Sequence, residues 1–200
     1  MTAIVKKKER LMLLLGQFPA LAVAFSGGVD SSFLLASAYE VLGENLLAVT
    51  AESPIHPKRE IGSAIEFAEK LGVRLLTFRS DEMDIPEFTA NSKQRCYICK
   101  KHLFGEIAKI AKQSGIYHIA HGANTDDLNE FRPGFKAAEE MGIFAPMIEA
   151  DLSKSDIRAL SREMGLDTHS KPAMACLATR IPYGVPISLH RLNMIQDAED

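Results

Sequence analysis

Apolar residues in this chain gather in short blocks separated by polar, glycine-bearing turns, and the blocks alternate between two kinds. Leu21-Ala22-Val23-Ala24-Phe25, Leu46-Leu47-Ala48-Val49-Thr50, Arg74-Leu75-Leu76-Thr77-Phe78 and Tyr117-His118-Ile119-Ala120 are short and dense. That is the pattern of strands buried on both faces of a parallel sheet. The stretches between them have a helical period: Ile61, Ala64, Ile65, Ala68 and Leu71 recur on one face, Lys58, Glu60 and Lys70 point elsewhere, and Gly72 follows as a stop. Lys101–Ser114 predicts a second helix, with Leu103, Phe104, Ile107 and Ile110 on its apolar side, and residues 4–16 predict an N-terminal one. Ser153 and Asp156 have the spacing of a capping box ahead of Ile157, Leu160 and Met164. Alternation of this kind predicts an α/β fold, a parallel twisted sheet with helices on both faces, in which ligands collect at the carboxyl ends of the strands. One main domain is expected over residues 1–187, and residues 188–200 are expected to open a C-terminal helical segment that is cut short.

Composition narrows the class without changing the fold. The 200 residues are 46% hydrophobic and 24% charged, ordinary values for a globular enzyme domain. The apolar run Leu11–Leu15 behind Lys6, Lys7 and Lys8 is too short for a membrane span and lacks a cleavage site, so a cytoplasmic protein with no membrane partner is expected. A formal net charge of −3 argues against a dedicated nucleic-acid surface. Three cysteines in such a chain read as reduced thiols rather than a disulfide framework.

The strongest chemical signal is Ser26-Gly27-Gly28-Val29-Asp30-Ser31-Ser32, set between the first predicted strand and a helix. Two glycines let backbone amides and hydroxyls close around an anion at the helix N-terminus, which makes the loop a phosphate cradle. It lacks the Gly-Lys-Ser/Thr ending of a Walker loop and the third glycine of a dinucleotide fingerprint. The bland reading is a glycine-rich turn with no ligand, but that leaves Asp30 unexplained. A Mg²⁺ ion between the Asp30 carboxylate and phosphate oxygens accounts for it. Thr50 and His121 end neighbouring strands and fall at the same cleft. Gly122-Ala123-Asn124-Thr125-Asp126-Asp127 has turn chemistry and two adjacent acids, and reads equally well as an Asx-rich surface turn. Arg95-Cys96-Tyr97-Ile98-Cys99-Lys100 supplies a Cys-x-x-Cys pair, and Cys176 lies in the polar, proline-punctuated segment 171–184, which also carries Lys171 and Arg180. Three thiolates suffice for three irons of a [4Fe–4S] cluster, leaving the fourth without a protein ligand. A redox pair, a zinc site completed by His102 and inert thiols compete with that reading.

The heptapeptide resembles the SGGxDS loop of the PP-loop ATP pyrophosphatases, which implies their adenine nucleotide alpha-hydrolase-like fold, cleavage of ATP between the α and β phosphates and release of pyrophosphate. Taken together, SGGVDSS, GANTDD, the Lys-x-x-Ile-Arg helix from Lys154 and the Lys-Pro…Cys-Leu…Arg-Ile-Pro-Tyr-Gly segment resemble the LarE family of ATP-dependent sulfur transferases, over residues 21 to about 187. The resemblance implies adenylation of a carboxylate on a pyridinium biscarboxylic acid mononucleotide, then sulfur insertion to give the thiocarboxylate used in nickel-pincer nucleotide biosynthesis. By the same resemblance Ser26, Gly27, Gly28, Asp30, Ser31 and Ser32 hold the phosphates. Thr50 and Ala51 meet the adenine, Gly122 and Asp127 pack against nucleotide or metal, and Arg180 binds phosphate or substrate carboxylate beside Cys176. In one kind of family member a cysteine at the position of Cys176 gives up its own sulfur. The added Cys96 and Cys99 resemble the cluster-bearing kind, fed by sulfide or another sulfur donor. A homo-oligomer is expected. Two other readings stand beside this one: a PP-loop tRNA thiolase using Cys96 or Cys176, and a non-catalytic nucleotide-binding sulfur carrier.

Overall fold

The computed structural model describes residues 2–129 and 133–199. Helix α1 (Ala3–Leu15) leads into the alternating run β1 (Leu21–Ala24), α2 (Val29–Leu42), β2 (Leu46–Glu52), α3 (Lys58–Leu71) and β3 (Arg74–Arg79). A short α4 (Pro86–Thr89) precedes the long α5 (Arg95–Gln113) and β4 (Ile119–His121). The chain then continues through α6 (Pro133–Glu140), α7 (Pro146–Glu149), α8 (Lys154–Glu163) and α9 (Leu189–Glu199). The predicted blocks are all present, with strand limits moved by one or two residues. The larger departure is α5, which starts at Arg95 rather than Lys101. Its first turns are polar in composition, and they are fixed by tertiary bonds from the buried Arg95 to Asn91 and to carbonyls near residue 180.

The strands form a parallel sheet in the order β3-β2-β1-β4, with Val23 level with both Ala48 and Ala120. The chain walks outward from β1 to β3, then crosses back to place β4 on the other side of β1. That reversal opens a crevice at the carboxyl ends of β1 and β4. Past β4, Phe144 makes a single parallel bridge to Ala120.

Period-two burial explains why the strands look uniformly apolar. Leu21, Val23, Leu46 and Ala48 pack with Leu11, Phe33, Leu34, Ala64, Ile157 and Leu160, so α1, α2, α3 and α8 cover one face. Ala22, Leu47 and Val49 pack with Phe104, Ile107, Ala111 and Ala138 from α5 and α6 on the other. With each fully buried Leu or Phe contributing about 1.5–3 kcal/mol, the two layers hold the sheet without help from its rim. A third, smaller cluster of Ile55, Phe88, Leu177, Ile181, Ile187 and Leu192 lies past the end of β2, where α4, the segment after Cys176 and α9 meet. The capping box of α8 is formed: Asp156 N donates to Ser153 Oγ at 3.2 Å and Ser153 N to Asp156 Oδ2 at 3.1 Å. The same carboxylate oxygen receives Lys7 Nζ at 2.9 Å, tying α1 to α8. No described helix is long and apolar enough to cross a membrane.

Candidate active site

At the end of β1 the chain turns through Ser26, Gly27 and Gly28 into α2. Gly27 has a φ of +72°, and a Cβ there would stand 2.9 Å from Ala64 Cβ, so both backbone and space require glycine. Gly28 is the N-cap of α2, which places Ser31 and Ser32 in the first turn. The Ser26 and Ser31 hydroxyls lie 3.0 Å apart, and Ser31 Oγ donates to Gly28 O at 3.2 Å. Ser32 Oγ is buried and has no partner among the described residues. Asp30 pairs through Oδ2 with Lys154 Nζ, while its Oδ1 is buried without a donor. A buried carboxylate oxygen left unpaired in this way has room in its bonding for a hard cation.

Gly122 brings the loop after β4 into backbone contact with α2: a Cβ on it would come 2.8 Å from Ser31 N and 3.0 Å from Ser31 Cα. The loop is held internally, with Asn124 N donating to Asp127 Oδ2 at 2.9 Å and Asp126 N to Asn124 Oδ1 at 3.0 Å. Asp127, expected against nucleotide or metal, thus accepts from an amide of its own turn. Asp126 Oδ2 accepts from Lys154 N at 2.9 Å, which fixes the start of α8 and sets Lys154 against Asp30. On the other side of β1, Thr50 Oγ1 donates to Phe25 O at 2.9 Å and the buried Ala51 follows it, leaving a backbone-lined edge beside the loop. His121, between the Phe104 and Phe135 rings, has its pKa lowered to about 4 by burial and then by Lys100.

The segment from Lys171 to Leu177 joins this loop to the cysteines. Lys171 Nζ donates to Gly27 O at 3.0 Å and pairs with Glu60 at 2.8 Å, and Leu177 N donates to Ile55 O at 2.7 Å just past β2. Cys176 lies between those anchors and packs, with Cys99, against the third apolar cluster. Cys96 and Cys99 are one turn apart at the start of α5 and share a helix face. Burial pushes the Cys99 thiol up to about 12, Lys100 pulls it down, and Glu82, Cys176 and Cys96 push it further up. Burial and then Cys96 also raise Cys176, while Arg95 and the Thr179 and Ala178 amides lower it. The three thiols therefore share one neighbourhood. Among the described residues, however, no three His, Cys, Asp or Glu side chains stand in an arrangement that could hold a metal ion. His102, considered as a zinc ligand, has Nε2 2.6 Å from Asp81 Oδ1.

Arg180, expected beside Cys176, lies there, and its guanidinium is already engaged. Its Nε and Nη2 meet Glu199 at 2.7 and 3.0 Å, and Nη1 donates to Ala175 O at 2.9 Å, so the guanidinium braces the Cys176 segment against α9 instead of facing open space. Several side chains at the site escaped the sequence reading. Lys154 enters the sequence pattern only within a motif, and Glu82, 1% exposed, carries no sequence signal although it accepts from the Ser53 and Ser80 hydroxyls. His56 beside them has a lowered pKa from burial and Lys100. A cleft of about 390 Å³ runs along α3 and touches the phosphate loop at Gly27 and Lys171, with the thiols outside it.

Comparison with known proteins agrees with this geometry. The NAD synthase family matches residues 13–128, the part of the chain that carries the sheet, the Ser26–Ser32 loop and most of the turn after β4. An uncharacterized protein of Synechocystis sp. is 38% identical over 193 residues, covering 96% of this chain and 72% of its own. The pyridinium-3,5-bisthiocarboxylic acid mononucleotide synthase of Lactiplantibacillus plantarum is 33% identical over 200 residues, 100% of this chain and 72% of that one. An uncharacterized protein of Methanocaldococcus jannaschii is 30% identical over 178 residues, 89% and 67% of the two chains. With the phosphate loop, the facing glycine turn and a relative of that identity along the whole chain, this protein belongs to the NAD synthase-like PP-loop superfamily and, within it, to the LarE family.

Proposed function

We propose that this protein is an ATP-dependent sulfur transferase that adenylates a carboxylate of a pyridinium biscarboxylic acid mononucleotide and replaces its activated oxygen with sulfur. The observation that carries the reading is the span of residues 171–177, anchored at one end on the phosphate-loop carbonyl of Gly27 and at the other on Ile55, with Cys176 between. In this reading the phosphate loop and the thiols are parts of one site joined by that segment.

The first half-reaction follows from charge. A substrate carboxylate oxygen attacks the α-phosphorus of ATP, an O–P bond forms, and pyrophosphate leaves with the bonding pair. In this reading the first-turn amides of α2 and the Ser26, Ser31 and Ser32 hydroxyls receive the departing phosphates. Lys154 and Lys171, now on Asp30 and on Gly27 and Glu60, are the cations within reach of them. Asp30 fits a Mg²⁺ ion, since its Oδ1 is buried and unpaired. In the second half-reaction a sulfur nucleophile attacks the acyl carbon of the mixed anhydride, the C–S bond forms, and AMP leaves with the electrons of the broken C–O bond. Cys96, Cys99 and Cys176 are the donors this reading assigns to a [4Fe–4S] cluster, by thiol chemistry; as they stand in the structure they form no arrangement that could hold a metal ion. Such a cluster, when bound, supplies an iron free to carry an exchangeable sulfide.

Anaerobic reconstitution followed by turnover with ATP, Mg²⁺, the pyridinium substrate and isotopically labelled sulfide tests both halves. Pyrophosphate release that depends on the pyridinium nucleotide, label in the product and an intact Cys176 are expected. Unlabelled product with one dehydroalanine at Cys176 per turnover would replace cluster delivery by sacrifice of that cysteine. Pyrophosphate release that depends on tRNA instead would reject the substrate assignment.

A further inference from the structure

Arg95 is a buried cation that the reaction above does not use. It is 5% exposed, and the acceptors it meets are amide and carbonyl oxygens. Nη1 donates to Asn91 Oδ1 at 2.6 Å and to Ala178 O at 2.8 Å, with Ile181 O at 3.4 Å, and Nε is buried without any partner. The guanidinium lies 4.7 Å from the centre of the Tyr183 ring. Asn91, at a φ of +55°, reinforces the same joint by donating from Nδ2 to Pro182 O at 2.9 Å and Val185 O at 2.8 Å. Every one of these acceptors except Asn91 Oδ1 belongs to the stretch just after Cys176, while Arg95 immediately precedes Cys96.

A guanidinium taken out of water among neutral carbonyls lacks a counter-charge, and such burial is costly unless an anion faces it. Here the cation is held instead by its donations to Asn91 Oδ1 and Ala178 O and by the Tyr183 ring. We infer that Arg95 is a positioning residue of the sulfur site: its planar fork docks the Cys176 segment onto the start of α5 through Ala178 O and Ile181 O. The inference rests on reading the three thiols as the sulfur site.

The test uses the metal-free full chain, so it does not depend on cluster assembly or turnover. A bifunctional thiol reagent such as dibromobimane is added, and mass spectrometry reports which cysteines it joins. The Cys96–Cys99 link lies within one helix and serves as the internal reference. Links from Cys176 to either of them report the docking. Arg95→Met fills similar volume without charge or donors; it should keep the Cys96–Cys99 link and the wild-type circular dichroism while slowing the Cys176 links about tenfold, the effect of losing one charged hydrogen bond. Arg95→Lys should recover most of that loss. Cys176 links at the wild-type rate in Arg95→Met, or no recovery in Arg95→Lys, would overturn the assignment. Should Arg95→Met fail to fold, Arg95→Gln replaces it with the same expectation. Failure of iron incorporation in wild type, with these linking rates as expected, would strike the cluster and leave Arg95 in its role.

Discussion

Asp30 has one carboxylate oxygen on Lys154 and the other buried without a donor. Under its proposed role, removing it takes away a Mg²⁺ ligand and little packing, and a partly exposed ion pair contributes only about 0–1 kcal/mol. Asp30→Ala should therefore melt close to wild type while Mg²⁺-dependent pyrophosphate formation falls at least about tenfold, in line with losing a charged ligand. Undiminished pyrophosphate release from the folded variant would remove Asp30 from the site. Cys99 presents the opposite case, a group whose burial suppresses its chemistry. With its pKa pushed up to about 12, it keeps its proton across the range in which an ordinary thiol ionises. In the metal-free chain, alkylation of Cys99 at pH 8 should be slower than in urea by about a hundredfold or more, and its rate should go on rising above pH 9. Equal rates in the folded and denatured chain would show that the thiol is open to water.

Gly122 and Ser31 bring two loops into backbone contact, and that closeness leaves no room for a side chain. Gly122→Ala should cost about 1–3 kcal/mol of stability as the loops separate. Because the displaced residue is in the first turn of α2, the KM for ATP should rise more than the melting temperature falls; an unchanged KM would place the nucleotide elsewhere. The strands that carry these loops were readable in the sequence because each is buried on both faces, so composition alone marks them. The phosphate loop was readable because its donors are consecutive. The start of α5 was not, since Arg95 is held by carbonyls 83 and 86 residues away, and no local period encodes that. The partners of Asp30 and Gly27 were hidden for the same reason, 124 and 144 residues away. Arg180 shows the converse: its position beside Cys176 was legible, but its engagement with Glu199 depends on where α9 packs.

Across the whole molecule, acid should weaken the fold through His121. Its pKa is lowered to about 4 in the folded chain, against 6.5 for an ordinary histidine. Between those values the unfolded chain binds a proton that the folded chain refuses, so stability is complete above pH 6.5 and is lost as pH falls toward 4. The loss is on the order of 2 kcal/mol, less than the full shift because the ring is partly open to water. His56 acts in the same direction. Urea unfolding at pH 5 and pH 7 should show a smaller difference for His121→Phe than for wild type, and equal differences would assign the acid sensitivity to other groups. The contacts that complete the site also dictate when it can come into being. Lys154 reaches Asp30 across 124 positions and Lys171 reaches Gly27 across 144, among the longest closures in the chain. Closures of that span form late, after the layers around β1 and β2 have local reasons to assemble. A nascent chain emerging from the ribosome thus has its strands and its first two cysteines long before it has Cys176 beside them. Cys176 therefore reaches the neighbourhood of Cys96 and Cys99 only after the loop of Ser26–Ser32 is in place, so the order of synthesis itself sets the order in which the two parts of the cleft are built.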